Sequence, residues 1–443
     1  MSIELLSIEL LSILFVVVFA AVLLSGLPLA FATGAVAVVF ALGLFGLPGL
    51  NLVVSRVFTL MGNYVLVSVP LFVFMACVLE RAGIAEAIFR SAHVMAGRLR
   101  GGLALAVIIS CALMATMVGV IGAEIVTMGV VALPAMLARG YSKDLALGCI
   151  CAGGGLATLI PPSVVFIMYG LTAGVSIGEL YTAGVVPGLM LAGMYIAYIM
   201  VRAWRNPHEA PPATAEELAM TWPERLSMMR DLVLPALVAL TVLGSLYAGW
   251  ATPTEAAGVG VLGAVAAMWV NGKFSWDKLR LAAQDTAKVT IMLYWLFFGS
   301  SALIGVYTLA GGTKLIQDVM TALPLDPIAV VILINIIWIV LGCFIDWIGI
   351  LLLTAPIFVP VIVKLGFDPV WMGVLFCMNM QISYISPPFG PAAFYLKGVT
   401  PPGITIGQIF NSIWPYLGIQ FVALGLVIAF PQIALWLPGT MSN

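Results

Sequence analysis

Two short runs of this chain carry a double proline in the middle of an apolar segment: Gly155-Leu156-Ala157-Thr158-Leu159-Ile160-Pro161-Pro162-Ser163 and Met380-Gln381-Ile382-Ser383-Tyr384-Ile385-Ser386-Pro387-Pro388-Phe389-Gly390. Proline has no amide donor and clashes with the carbonyl four residues back, so each pair frees the carbonyls that precede it. Those carbonyls, together with the hydroxyls of Thr158, Ser163, Ser383 and Ser386, are hard oxygen ligands suited to a dehydrated Na⁺. The helices that restart after the prolines point positive N-termini into the same region, which suits a carboxylate. Pro161, Pro162, Ser163, Gln381, Pro387, Pro388 and Gly390 are therefore expected around a small organic anion. The alternative is a pair of structural kinks. Against it stands the recurrence of the break in both halves of the chain, opposite a glycine-containing hairpin tip each time.

The medium that surrounds such breaks follows from composition. Of 443 residues 63% are hydrophobic and only 8% charged, against about 25% charged in an ordinary soluble domain. Lys plus Arg is 18 and Asp plus Glu is 19, so no basic surface exists to hold nucleic acid. The expected class is an all-α polytopic membrane protein in a lipid bilayer, because the apolar runs are continuous and lack the ~10-residue alternation of a membrane β-barrel. About 20 apolar residues cross the hydrocarbon layer. Ten crossings are expected, at 3 to 24, 28 to 48, 63 to 80, 144 to 173, 179 to 201, 231 to 249, 253 to 271, 288 to 309, 369 to 396 and 406 to 437. Two further stretches, 102 to 138 and 325 to 363, are too long for one helix and too short for two spans, and read as re-entrant hairpins. Their tips fall at Met117-Val118-Gly119-Val120-Ile121-Gly122-Ala123 and Gly342-Cys343-Phe344-Ile345-Asp346. Irregular backbone at that depth must be covered by protein or line a cavity. One cation is expected near Gly119 with Gly155 and Thr158, the other near Gly342 and Asp346 with Ser383 and Ser386.

Positive charge orients the chain. With the N-terminus outside, fifteen of the Lys and Arg residues fall inside, and Arg56, Lys314 and Lys364 fall outside. The polar stretch 203 to 230 is then a cytoplasmic linker between 1 to 202 and 231 to 443. These halves repeat: Pro134/Pro360, Gly140/Gly366, Pro161/Pro387 and Tyr169/Tyr395 all lie 226 residues apart. Five crossings per half make the second copy an inverted one, the construction of many secondary transporters.

Other polar residues have plainer readings. Thr252-Pro253-Thr254-Glu255 fits a capping box, as do Ser176 with Glu179 and Thr405 with Gln408. Residues 84 to 99 read as an amphipathic interfacial helix, and Gly153-Gly154-Gly155 as a site of close helix approach, not a phosphate loop. The six cysteines lie in apolar runs and read as small buried hydrophobes, with no metal cluster. No histidine falls in a span, so a membrane-embedded enzyme is disfavoured. An ion channel would also use re-entrant hairpins, but around a symmetry axis.

Pro161-Pro162-Ser163 with Tyr169-Gly170, Leu180-Tyr181-Thr182-Ala183-Gly184, Pro187-Gly188-Leu189, Ala251-Thr252-Pro253-Thr254-Glu255-Ala256-Ala257, Gly342 to Asp346, and Pro387-Pro388 with Gly390 resemble the large membrane subunit of TRAP (tripartite ATP-independent periplasmic) transporters over essentially the whole chain. The resemblance implies an elevator-type secondary transporter of the bacterial inner membrane with Na⁺ as coupling ion and no other cofactor. It also implies a small four-helix membrane subunit and a periplasmic substrate-binding protein delivering a small organic acid. One departure stands out: Val118, Val120 and Ile121 offer no hydroxyls at a tip that is often serine-rich in the family. Backbone carbonyls around Gly119 and Gly122 have to serve instead. The Val-Gly-Val-Ile-Gly-Ala-Glu variant of that tip, ending at Glu124, resembles a branch linked to keto or hydroxy monocarboxylates.

Overall fold

The computed structural model describes residues 7–96, 99–118, 122–211, 221–387 and 390–441. Among these residues regular structure is entirely helical. Six helices are long and apolar enough to cross a membrane: Tyr64–Arg81, Ile177–Arg205, Pro253–Val270, Trp276–Leu309, Trp347–Lys364 and Ile406–Ala429. The remaining segments read as crossings form shorter apolar helices, such as Ile8–Leu24 and Leu29–Phe45 at 17 residues each.

Local chemistry sets the helix starts where the capping pattern places them. Thr252 and Glu255 form a reciprocal capping box in which Glu255 Oε2 accepts the Thr252 amide at 2.8 Å. Thr405 and Gln408 form a second, and Ser176 Oγ accepts the Glu179 amide at 3.4 Å. Each satisfies donors that lack intrahelical partners.

Several boundaries differ from those read in the sequence. The helix expected from 288 begins at Trp276, because Asp277, Lys278 and Arg280 ride on a helical extension that hydropathy alone does not detect. The stretch 406 to 437 is two helices, Ile406–Ala429 and Gln432–Met441, divided at Phe430-Pro431. Proline disfavours helical geometry in the residue before it. Within 203 to 230, helix runs to Arg205 and resumes over Trp222–Met228; residues 212–220 lie outside the described set. Pro48–Met61 and Gly312–Ala322 are helices with no counterpart in the sequence reading. Ile84–Ala96 is amphipathic as expected, burying Ile84, Ile88 and Phe89 while Glu86 and Arg90 are exposed.

The hairpins are helix pairs: Gly102–Val118 with Ala123–Ala138, and Pro327–Gly342 with Trp347–Lys364. The first broken helix runs Lys143–Gly154, a 3₁₀ turn at Gly155–Thr158, then Val164–Ala173. The second runs Pro369–Ile385, then Pro391–Val399. Packing crosses between halves. Ala123–Ala138 lies on Pro391–Val399, and Trp347–Lys364 lies on Val164–Ala173, so each hairpin's second arm covers the other half's post-break helix. Outside this group, Leu29–Phe45 packs on Trp276–Leu309 and Ser68–Arg81 on Pro253–Val270. Arg81 pairs with Asp285 of Trp276–Leu309, which also holds Lys288 at 3.3 Å.

Candidate functional site

Three consecutive glycines organise the first break. A methyl group on Gly153 would lie 2.9 Å from Cys111 Sγ of the first hairpin, one on Gly154 would overlap Ile125, and one on Gly155 would lie 3.2 Å from Gln381 Cγ. Each glycine thus admits a different element, which is the close-approach role expected of them. The break is closed by its own hydroxyls. Thr158 Oγ1 donates to the Gly155 carbonyl at 2.9 Å, and Ser163 Oγ donates to the Thr158 carbonyl at 2.7 Å. These carbonyls are not left bare, and within the 3₁₀ turn the Gly155 carbonyl is also the i→i+3 acceptor for the Thr158 amide. Thr158, Ser163 and Gln381 are fully buried, and both ends of the Gln381 amide lack a hydrogen-bond partner among the described residues.

The second break is built on contact with a hairpin. A methyl on Gly342 would fall on Ser383 Oγ and Cβ, so only glycine lets the first arm of the second hairpin seat against Pro369–Ile385. Ser383 Oγ donates to the Asn379 carbonyl at 3.0 Å and Ser386 Oγ to the Ser383 carbonyl at 3.3 Å. Four residues past Gly342, Asp346 caps Trp347–Lys364 by accepting the Ile348 amide at 3.3 Å. Gly342, Ser383, Met380 and Asp346 enclose a cavity of about 20 Å³, room for roughly one water or one bare ion. Ser386 is buried one turn along the same helix, beside Pro387, and the Gly390 amide closes the turn on the Ser386 carbonyl at 2.9 Å.

A larger cavity of about 170 Å³ lies next to it. Its wall includes Val164 and Val165, which begin the helix after Pro161-Pro162-Ser163, and Pro391 and Tyr395, which begin the helix after the second break. Asp346, Trp347, Tyr384 and Pro391 line both cavities. Ser163 makes no side-chain cap to the helix starting at Val164, so that terminus keeps unsatisfied amide donors. Val289, Met292 and Leu293 of Trp276–Leu309 also line it.

Of the first expected cation cluster, Gly155 and Thr158 share the 3₁₀ turn, while Gly342, Asp346 and Ser383 of the second line one cavity with Ser386 close by. Of the residues expected around the anion, Ser163 bonds to the Thr158 carbonyl and Gln381 packs on Gly155, and neither lines the larger cavity. Gly119 and Pro388 lie outside the described residues. Gly122, at φ +101°, sits against two rings, its absent Cβ position being 3.3 Å from Tyr384 Oη and 3.1 Å from Tyr395 Cε2. These two tyrosines, with Trp347, are the wall residues that sequence reasoning missed. Tyr384 lay inside the second break motif and was the one available signal. Its hydroxyl is buried without a partner among the described residues. The cysteines form no disulfide, Cys111, Cys149, Cys151 and Cys377 are buried, and no group of metal-binding side chains occurs among the described residues.

Hairpins and broken helices converging on cavities that share Asp346 and Tyr384, inside an apolar helical bundle, define a membrane transport protein. The chain belongs to the tripartite ATP-independent periplasmic transporter family as its DctM component, whose family model matches residues 16–433. Among its relatives, the C4-dicarboxylate TRAP transporter large permease protein DctM of Vibrio cholerae is 31% identical, covering 85% of this chain and 86% of the relative. The ectoine TRAP transporter large permease protein TeaC of Halomonas elongata is 30% identical over 84% of this chain and 86% of its own length. Among solved structures, the Alcanivorax borkumensis YdaH transporter superposes with a TM-score of 0.62 over 96% of this chain and 99% of that one, at 16% identity. At that identity the likeness concerns the fold alone.

Proposed function

We propose that this large permease subunit imports a small organic acid by Na⁺-coupled secondary transport, working with a small four-helix membrane subunit and a periplasmic substrate-binding protein in the bacterial inner membrane. The observation that carries the reading is the shared wall: Asp346, Trp347, Tyr384 and Pro391 line both the ion-sized cavity and the larger one. An ionised Asp346 repels an organic anion next door. A Na⁺ held by Asp346, Ser383, Ser386 and the carbonyl of Gly342 removes that repulsion, so cation binding raises affinity for the anion. The carboxylate is then received by the uncapped amides at Val164 and by the start of Pro391–Val399. The first cation is assigned to Gly119, Gly122, Gly155 and Thr158. A keto or hydroxy monocarboxylate is the substrate class that the first tip resembles.

In this reading 1–202 and 231–443 are inverted repeats, and the crosswise-packed hairpins and broken helices move as one elevator body against the remaining helices. Replacing Thr158 or Ser386 by valine removes one hydroxyl ligand and one buried hydrogen bond, the latter worth about 1 kcal/mol. Both variants should reach the membrane and require several-fold more Na⁺ for half-maximal uptake. Unchanged Na⁺ dependence in both would remove these hydroxyls from the ligand set.

The charge distribution supports a cytoplasmic position for the segment after Arg205. A cysteine replacing the exposed His208 should resist an impermeant thiol reagent in intact cells and react in inverted vesicles. Strong labelling in intact cells would reverse the orientation.

A further inference from the structure

The first hairpin tip lacks the hydroxyls that a cation site ordinarily draws on, and yet a carboxyl group stands two residues beyond Gly122. Glu124 lies in the first turn of Ala123–Ala138, is fully buried, and has no hydrogen-bond partner for either oxygen among the described residues. Burying an ionised carboxylate without compensation is strongly unfavourable. Ligands that satisfy it have to come from its surroundings. Its neighbour Ile125 presses on Gly154, Gly155 abuts Gln381, and Tyr384 Oη lies against Gly122, two residues before Glu124. Gln381 and Tyr384 sit three residues apart, on one face of their helix. Both carry buried polar atoms with no partner among the described residues. The unsatisfied atoms therefore come from the hairpin tip and from the second half's broken helix, on either side of the glycine turn, and all but the amide nitrogen and its hydrogens can act as oxygen ligands.

We propose that Glu124 is the charged ligand of the first cation site, with Gln381 Oε1 and Tyr384 Oη completing it alongside the Gly155 carbonyl. This rests on the Na⁺-coupled reading above and extends it. Each hairpin then supplies one carboxylate within a turn of the start of its second arm, Glu124 in the first and Asp346 in the second. Two monovalent cations neutralise the two carboxylates, and the helix N-termini remain free to receive the anion. The site also ties the halves together, since the carboxylate comes from one half and both of its side-chain partners from the other.

The test is Na⁺-dependent thermal stabilisation of the purified full-length chain in detergent, with K⁺ and choline as control ions. Wild type should be stabilised by Na⁺ specifically. Glu124→Gln should raise the half-saturating Na⁺ concentration at least tenfold, while its melting temperature without Na⁺ should equal or exceed that of wild type, because the amide matches the protonated acid in shape and needs no counter-charge. A variant that merely lost structure would melt lower in both conditions. Should Glu124→Gln not be recoverable, Gln381→Leu leaves the carboxylate in place and should weaken Na⁺ stabilisation in the same sense. A Na⁺ response in wild type that survives intact in these variants overturns the assignment of Glu124 alone. No Na⁺-specific stabilisation in wild type overturns the coupled-transport reading with it.

Discussion

Gly342→Ala should abolish uptake while the protein still inserts into the membrane. The added methyl falls on both Oγ and Cβ of Ser383, and the Cβ cannot rotate away, so the second hairpin has to lift from Pro369–Ile385. Overpacking of this kind costs about 1–3 kcal/mol, and the cavity of about 20 Å³ beside Asp346 opens with it. The double variant with Ser383→Gly makes room for the methyl and should recover thermal stability in detergent. Uptake should stay impaired, since the Ser383 hydroxyl is then missing. Wild-type uptake by Gly342→Ala alone would show that the hairpin contact does not shape the site.

Asp346→Asn is expected to eliminate Na⁺-driven uptake at normal membrane levels. Asparagine caps helices as well as aspartate does, so the bond to the Ile348 amide survives and only the charge is deleted. The residue lines both cavities, and with uptake gone the Na⁺ concentration for half-maximal thermal stabilisation in detergent should rise at least tenfold, equivalent to about 1.4 kcal/mol. Wild-type uptake in this variant would leave helix capping as the whole role of Asp346.

The parts of the fold legible in the sequence were those written in backbone chemistry. Pro161-Pro162 and Pro387-Pro388 mark breaks by what proline cannot do, Thr252 and Glu255 mark a helix start by what they can, and the length of 102–138 and 325–363 requires a bend. The glycine triad was readable as a packing device, although which element meets which glycine was not. Boundaries failed where composition and conformation part company. Trp276–Leu309 carries charged residues on a continuous helix, and Phe430-Pro431 interrupts a run that holds no charged residue. The wall residues were hidden for a different reason. Tyr384, Tyr395 and Trp347 become site residues only because the second hairpin and the helices after the two breaks are brought to one place. The isolation of Glu124 is a property of its surroundings, and no local pattern of residues announces it.

The proposed anion movement through this subunit is driven by Na⁺ and fed by a binding protein. Its most direct measurement is uptake of a radiolabelled organic acid, the one that the cognate periplasmic protein binds, into proteoliposomes holding this chain with its small membrane subunit. Accumulation should occur only with the loaded binding protein outside and an inward Na⁺ gradient, and should collapse when K⁺ replaces Na⁺. Equal accumulation with K⁺, or without the binding protein, would contradict the account.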